Sequence, residues 1–177
     1  MKLIVSLILT VWISLSVNLL ALQPAIAAPN LTPIPVTAAL PFFQDIFRGS
    51  VPPNLGVKND QLAPCPNSPN CVVSQNGDAQ HAIAPIAYQT TLEQAKTTLL
   101  KVLTVVPGTE VVEQTDHYIR AESTSKIFGF VDDVEFYFPE DNPIIQVRSA
   151  SRLGDSDLGV NRRRIEQIRL ALQDLGV

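Results

Sequence analysis

Regular hydrophobic spacing begins near residue 91 and predicts two helices. Apolar residues recur three and four positions apart from Thr91 to Val106, which is the spacing of a helix with one buried face. Thr91 followed three positions later by Gln94 fits a capping box at the start of this helix. The same spacing predicts a closing helix from Asn161 to Leu175, with Asn161 as its N-cap.

Four strand-like runs lie between the two helices: Glu110–Thr115, Tyr118–Ser123, Phe128–Phe138 and Ile144–Ser151. Because consecutive strands joined by short turns usually pair as hairpins, we expect a mostly antiparallel four-stranded sheet. The predicted fold class is α+β, with two layers and both helices on one face of the sheet. A further contribution from residues 83–88 is left open.

The last two strands can be placed in register from their apolar positions. A four-residue loop at residues 139–142 puts Asp133 opposite Arg148 on one face and Asp132 opposite Ser149 on the apolar face. A slip by one residue would set apolar side chains against polar ones, so this register is favoured.

A carboxylate on the apolar face needs hydrogen-bond donors, because a buried unpaired charge is strongly disfavoured. The hydroxyls of Ser149 and Ser151 and the guanidinium of Arg152 are candidate donors for Asp132. Two alternatives stay open: a β-bulge that turns Asp132 and Asp133 outward, and a solvated strand end.

The segment from Arg148 to Arg164, RSASRLGDSDLGVNRRR, contains five arginines. Three of them fall in the first turn of the closing helix, where the helix dipole disfavours cations. Salt bridges to Asp155, Asp157 and the nearby acids would compensate, and so would an external anion held by arginines and helix N–H groups. Residues 155–159 hint at a calcium loop but lack its ligand set, so neither a metal nor a cofactor is predicted.

The first 27 residues have the pattern of a secretory signal peptide. Lys2 precedes an apolar run from Leu3 to Leu22, and Ala25-Ile26-Ala27 fits a signal-peptidase site. The run is also long enough to span a bilayer, so an uncleaved anchor stays open. We therefore expect export to a periplasm or a thylakoid lumen, with a membrane-anchored form if the signal is retained.

Residues 28–61 are expected to form a proline-rich, irregular tether. Nine of the 14 prolines lie between Ala28 and Pro69, without helical or alternating spacing. The apolar cluster from Leu40 to Phe47 is interpreted either as a short packed helix or as a membrane or partner contact. Residues 62–177 then form a single α+β domain.

The two cysteines, Cys65 and Cys71, lie in the sequence CPNSPNC. An even number of cysteines in an exported protein favours a disulfide over free thiols. A zinc site would need a closer cysteine spacing and paired histidines, and His81 and His117 are far apart.

Three ordered motifs resemble the domain-of-unknown-function family DUF1499 over roughly Leu62 to Leu175. They are LAPCPNSPNC from Leu62, GFVDDVEF from Gly129, and the arginine-rich segment from Arg148. The resemblance implies no activity, cofactor or catalytic residue. It implies that the following residues occupy motif positions: Cys65, Cys71, Asp132, Asp133, Glu135, Arg148, Ser151, Arg152, Asp157, Asn161 and Arg164.

The charge of the chain and its motifs limit the function classes. A net charge of −4 argues against non-specific nucleic-acid binding. The sequence lacks a nucleophile elbow, a phosphate loop and metal-ligand spacing, which favours a non-enzymatic binding or assembly factor with a protein partner or a small anionic ligand. The alternative is a hydrolase-like enzyme in which Asp132 or Asp133 is the general base and arginines line an anion pocket. The candidate polar or anion site comprises Asp132, Asp133, Glu135, Arg148, Ser151, Arg152, Asp157, Asn161 and Arg164.

Overall fold

The computed structural model describes residues 46–177 as six strands and two helices. In chain order the elements are β1 (Cys71–Val73), β2 (Ile86–Ala87), α1 (Leu92–Val105), β3 (Thr109–Gln114), β4 (Tyr118–Thr124), β5 (Val131–Tyr137), β6 (Ile144–Ser151) and α2 (Val160–Asp174). The signal peptide expected at residues 1–27, the tether up to residue 45 and most of the Leu40–Phe47 cluster lie outside the described residues. Within residues 46–177, no helix is both long and apolar enough to cross a membrane.

The strands form one antiparallel sheet in the order β1-β6-β5-β4-β3, with β2 pairing β6 beyond the end of β1. The predicted α+β class, with a mostly antiparallel sheet and two helices, is confirmed. The predicted number of four strands is wrong. The two additional strands are three and two residues long, too short to show an alternating pattern.

The main core lies between the two helices and one face of the sheet. Ala95, Leu99 and Leu103 of α1 and Ile165 and Ile168 of α2 are buried in it. The Thr91 hydroxyl accepts a hydrogen bond from the backbone N–H of Gln94 at 3.2 Å, as the capping pattern predicts. Strand residues complete the core from the sheet side: Ile119, Ala121, Val134, Phe136, Ile145 and Val147.

The opposite face of the sheet is also covered. Successive side chains of a strand point to opposite faces of the sheet. All seven residues of β5 are buried, so both faces of the sheet are covered at this strand. Residues 46–66 contribute to this second cover: the Gly56 N–H, for example, donates to the Glu135 carboxylate at 2.8 Å. The expected two-layer arrangement is therefore incomplete, because an irregular segment also covers the second face of the sheet.

The predicted register of the last hairpin is wrong by two residues. Asp133 lies opposite Ala150, Asp132 opposite Ser151, and Glu135 opposite Arg148. The connection between Tyr137 and Ile144 is six residues long rather than four. A two-residue shift preserves the alternation, so each side chain keeps its predicted face. The pairing is continuous through both aspartates, which excludes the bulge alternative.

Candidate functional site

A layer of ion pairs lies on the sheet face opposite the helices, buried at its centre and exposed at Arg48 and Glu113, whose side chains are 57% and 49% exposed. It consists of four carboxylates and four guanidiniums, which we call the acid–arginine layer: Glu113, Glu122, Asp133 and Glu135 with Arg48, Arg120, Arg148 and Arg152. The strands bring most of these residues together because alternate positions of β3, β4, β5 and β6 point to the same face. Arg152 directly follows β6, and Arg48 lies in an irregular segment. Since acids and bases are equal in number, the layer carries no net formal charge.

The strongest pairing within the layer is a fork between Arg152 and Asp133. Arg152 donates from Nε to Oδ2 and from Nη2 to Oδ1, both at 2.8 Å, and Arg120 Nη1 donates to the same Oδ1 at 3.2 Å. The hydrogen bonds that Arg152 donates to Asp133 raise the pKa of Arg152 above its ordinary value, and the one it donates to Glu122 adds to the effect. With three of the roughly four acceptor positions of its carboxylate in use, Asp133 is a structural acceptor.

Glu135 is the most deeply buried carboxylate of the layer, with no exposed surface. It accepts from Arg148 Nη1, from the Gly56 N–H and from the Tyr118 hydroxyl, each at 2.8 Å. Burial raises the pKa of Tyr118, and the charge of Glu135 raises it further. The phenol therefore stays protonated and serves as a hydrogen-bond donor to Glu135 at neutral pH.

In the part of the chain that the structure describes, Arg148 is the one member of the layer with an unsatisfied buried donor. Its residue exposure is only 4%, and Nη1 donates to Glu135. Its Nε is buried and has no hydrogen-bond partner among the described residues. Leaving such a donor unpaired costs about 1–3 kcal/mol, so the arrangement needs an explanation.

Arg148 lines a cavity of about 390 Å³. The cavity lies between β6, the N-terminal cover (residues 46–63) and the disulfide loop (residues 64–71). We call it the Arg148 cavity. Prolines and Cys65 form much of its wall, whereas Asp133 and Arg152 contribute polar groups. Its lining residues from the N-terminal cover and the disulfide loop are Pro52, Asn54, Pro64, Cys65 and Pro66.

The predicted disulfide between Cys65 and Cys71 is confirmed. The two cysteines are bonded, with their Cα atoms 5.7 Å apart. Cys71 begins β1, which pairs with β6, while Cys65 lies in the cavity wall. The bond therefore ties one wall of the Arg148 cavity to the sheet.

A second polar cluster lies on the helix side of the sheet and joins β5, β6 and α2. We call Asp132, Ser149, Ser151, Asn161 and Arg164 the clasp. Arg164 donates to Asp132 at 2.7 Å and to the Asn161 side-chain oxygen at 2.8 Å. The donor for Asp132 is thus Arg164, rather than the predicted serines or Arg152.

Asn161 is the centre of the clasp and is fully buried. Its side-chain oxygen also accepts from the Ser149 hydroxyl, and its amide nitrogen donates to the Asn70 carbonyl at 3.0 Å and to the Ser151 hydroxyl at 3.1 Å. All these partners belong to the chain itself. The geometry therefore indicates a structural junction.

The N-cap residue of α2 is Gly159, so the prediction of Asn161 as N-cap is wrong, and the Asp157 carboxylate two residues earlier supplies the acceptors. The Asp157 carboxylate accepts from the backbone N–H of Gly159 at 2.9 Å and of Asn161 at 2.7 Å. The α2 helix begins one residue earlier than expected, after Gly159, whose φ of 77° is unfavourable for residues with a side chain.

The arginines of the first turn of α2 are held by the chain itself. Arg162 donates to the carbonyls of Ala82 and Gln80, and Arg163 donates to the carbonyl of Leu158. Arg164 pairs with Asp132. Among residues 46–177, no group of three or more histidines, cysteines or acids is arranged to hold a metal ion.

The nine residues predicted as one polar site are divided between the two faces of the sheet. The acid–arginine layer contains Asp133, Glu135, Arg148 and Arg152, whereas Asp132, Ser151, Asp157, Asn161 and Arg164 lie in or beside the clasp. The division follows from the alternation of β5, which sends neighbouring aspartates to opposite faces.

Sequence reasoning missed the contribution of β4 to the layer. Arg120 lies opposite Glu135, and Glu122 lies opposite Asp133. The signal was present, because Tyr118, Arg120 and Glu122 alternate along a strand whose other face is apolar. Arg48 and Gly56 gave no comparable signal, since they lie in an irregular segment.

These features define a class of protein: an α+β domain with two helices on one face of an antiparallel sheet and a charge-balanced acid–arginine layer on the other. The chain belongs to the family described as "Protein of unknown function (DUF1499)", whose model matches residues 61–172. The family resemblance of the three motifs is thereby confirmed. No curated protein matches the sequence.

Proposed function

We propose that this chain is an exported, non-enzymatic binding protein whose Arg148 cavity receives a hydrogen-bond acceptor from a protein partner. The observation that carries the proposal is the buried Arg148 guanidinium, whose Nε lacks an acceptor among the described residues while the side chain lines a cavity. Nε itself is buried beneath the cavity wall, so a partner's acceptor reaches it when the Arg148 side chain adjusts on binding. Such an acceptor removes the cost of the unpaired donor, which favours the bound state.

Charge balance favours a neutral acceptor, such as a peptide carbonyl, over a small anion. The positive charge of Arg148 is already paired with Glu135, and that of Arg152 with Asp133 and Glu122. An incoming anion would meet no excess positive charge in the layer, and it would lose its hydration on entering. A carbonyl oxygen carries no such cost.

The surroundings of the cavity also suit a protein partner. Three prolines and Cys65 give it apolar walls that fit a side chain. Val51 and Leu153, sequence neighbours of the lining residues Pro52 and Arg152, are 52% and 41% exposed. Exposed apolar residues around a recessed polar anchor are typical of protein interfaces.

The hydrolase alternative has less support. Asp133 does lie at the cavity beside Arg148 and Arg152, as that alternative requires. Its oxygens, however, already accept three guanidinium N–H bonds, and Asp132 lies on the other face in contact with Arg164. A carboxylate occupied in this way is a poor acceptor for a substrate proton.

Localisation in a periplasm or thylakoid lumen is part of the proposal. The Cys65–Cys71 bond supports an oxidising compartment, since disulfides are rare where thiols are kept reduced. Export agrees with the signal pattern of residues 1–27, whether that segment is removed or retained as an anchor.

The test is a selection of peptides from a random library on the full chain, followed by affinity measurement with the variant Arg148→Lys. Lysine can keep the ion pair with Glu135 but lacks the guanidinium Nε–H. We expect the selected peptides to lose about tenfold or more in affinity, which corresponds to the loss of about one buried hydrogen bond. The matched control is Arg163→Lys, an exposed arginine that donates to the Leu158 carbonyl.

Two outcomes would contradict the proposal. Peptides that bind Arg148→Lys as tightly as the original chain would show that the guanidinium Nε–H is not the anchor. An Arg148-dependent rise in melting temperature with phosphate or sulfate alone would indicate a small-anion site in place of a protein partner.

A further inference from the structure

An exposed apolar tip lies at the turn between β4 and β5. Ile127 is 71% exposed and Phe128 is 58% exposed, although both are large apolar residues. Two further aromatic rings extend the tip: Phe128 lies 6.1 Å from Phe130, and Phe130 lies 5.1 Å from Phe47, measured between ring centroids. Ile46, next to Phe47, is 56% exposed.

The turn that presents the tip is held by its own hydrogen bonds. The Ser125 hydroxyl accepts from the Phe130 N–H at 3.0 Å, and the Ser125 carbonyl accepts from the Gly129 N–H at 3.1 Å. Gly129 has a φ of 74°, a conformation that glycine adopts without strain. The fold therefore fixes Ile127 and Phe128 in an exposed position.

The part of the chain that precedes the tip indicates which kind of surface the tip contacts. The 45 residues before Ile46 include the apolar run from Leu3 to Leu22, and this part of the chain joins the domain beside Phe47 and Phe130. Where that run stays in a bilayer, the 23 residues between it and Ile46 bridge at most about 80 Å. Lys126, which precedes Ile127, is exposed and suits a headgroup region that contains anionic lipids.

We propose that this tip docks on a lipid bilayer, with Ile127 and Phe128 inserted at the level of the headgroups. Aromatic and aliphatic side chains beside a basic residue are the usual composition of an interfacial contact. The proposal is independent of the Arg148 cavity, because it uses other residues and another ligand.

The test places a tryptophan at the tip of the full chain, incorporated into phosphatidylcholine vesicles that contain phosphatidylglycerol. Trp12, the single natural tryptophan, is replaced in the substitution Trp12→Phe, and Phe128→Trp supplies the reporter. Brominated phospholipid then quenches tryptophan fluorescence on contact. The matched control is Leu175→Trp in the same background, because Leu175 is also exposed, at 59%. The first turn of α2 contacts the start of β5, next to the tip, through Arg164 and Asp132, and Leu175 lies about 20 Å further along that helix.

We expect several-fold stronger quenching at position 128 than at position 175. Adding Ile127→Asp should reduce the quenching at position 128, since a carboxylate opposes insertion. Residue 127 is exposed, and an unchanged melting temperature will confirm that this variant is folded. Equal quenching at positions 128 and 175 would overturn the proposal, and so would blue-shifted emission at position 128 without quenching, which would mean that protein covers the tip.

Discussion

Among the arginines of the acid–arginine layer, Arg152 contributes most to its stability, because it pairs with two buried carboxylates at once. Its side chain is 1% exposed and forms a fork with Asp133 while its Nη2 also reaches Glu122. A buried ion pair adds little net stability compared with an apolar pair of similar shape, whereas removal of one partner leaves an uncompensated charge. Arg120 contacts the same two carboxylates at longer distances, so it compensates only in part.

We predict that Arg152→Met lowers the free energy of unfolding by about 3–5 kcal/mol, because Asp133 and Glu122 lose their closest cation. Urea unfolding followed by circular dichroism measures the change. The matched control, Arg163→Met, removes an exposed arginine and should cost less than about 0.5 kcal/mol. A loss of similar size in both variants would contradict the assigned role of Arg152.

The three tyrosines give a second prediction at this scale, on pH dependence. Burial raises the pKa of Tyr88, Tyr118 and Tyr137 above the ordinary value of 10.0, and nearby carboxylates add to the shift at the last two. Each neutral phenol therefore contributes stability that is fully present below pH 10.0 and is lost as the pH rises through the raised folded value. Phenolate absorbance of the folded chain should appear at a higher pH than that of the chain in urea, which should titrate near pH 10. Titration of the folded chain and the urea-unfolded chain at the same pH would contradict this.

At the scale of elements, the start of α2 is specified by residues on both sides of its first turn. Asp157 satisfies two backbone N–H groups, and its charge is favourable at the positive end of the helix dipole. The arginines that follow would be unfavourable there, but backbone carbonyls and Asp132 accept their N–H groups. The helix start is thus stabilised without an external anion.

We predict that Asp157→Ala lowers the free energy of unfolding by about 0.5–2 kcal/mol, the usual cost of a lost capping side chain. Asp155→Ala is the control, because Asp155 is an exposed carboxylate only two residues away. Urea unfolding of both variants separates capping from the loss of a negative charge. Equal effects of the two substitutions would show that the carboxylate acts through its charge alone.

The helices and long strands could be predicted because each of them extends over six or more residues, enough to show regular spacing. Both helices and the pairing of β5 with β6 follow from that pattern. The register of this pair was missed by two residues, because the connection has six residues rather than four and the apolar alternation is the same for both lengths. The strands β1 and β2 were missed because they are too short to show an alternating pattern.

Only part of the two polar clusters was predictable from the sequence, and their arrangement was not. The nine polar residues were identified, yet the alternation of β5 separates Asp132 from Asp133 and so divides them between two faces. Asn161 looked like a cap because it precedes an apolar pattern, and its burial against Asn70 depends on a contact 91 residues away. Arg48 and Gly56 reach the layer from an irregular segment without periodic spacing.

At the scale of the whole molecule, the sheet separates two polar clusters with different roles. The clasp on the helix side is saturated with partners from the chain itself, which suits a structural junction. The acid–arginine layer on the other side is balanced in charge, and within residues 46–177 it leaves one buried donor unpaired, at Arg148. The Arg148 cavity lies where the N-terminal cover, the disulfide loop and β6 meet, so residues from three parts of the chain shape it.

The measurement that tests the central claim most directly is a nuclear magnetic resonance titration of the arginine Nε–H signals of the full chain with a selected peptide. The Arg148 signal is assigned by its disappearance in Arg148→Lys. We predict that the Arg148 Nε–H signal moves downfield and exchanges more slowly with solvent as the peptide binds, because its proton gains an acceptor, while the Arg163 signal stays in place. Peptide binding that leaves the Arg148 signal unchanged would contradict the account.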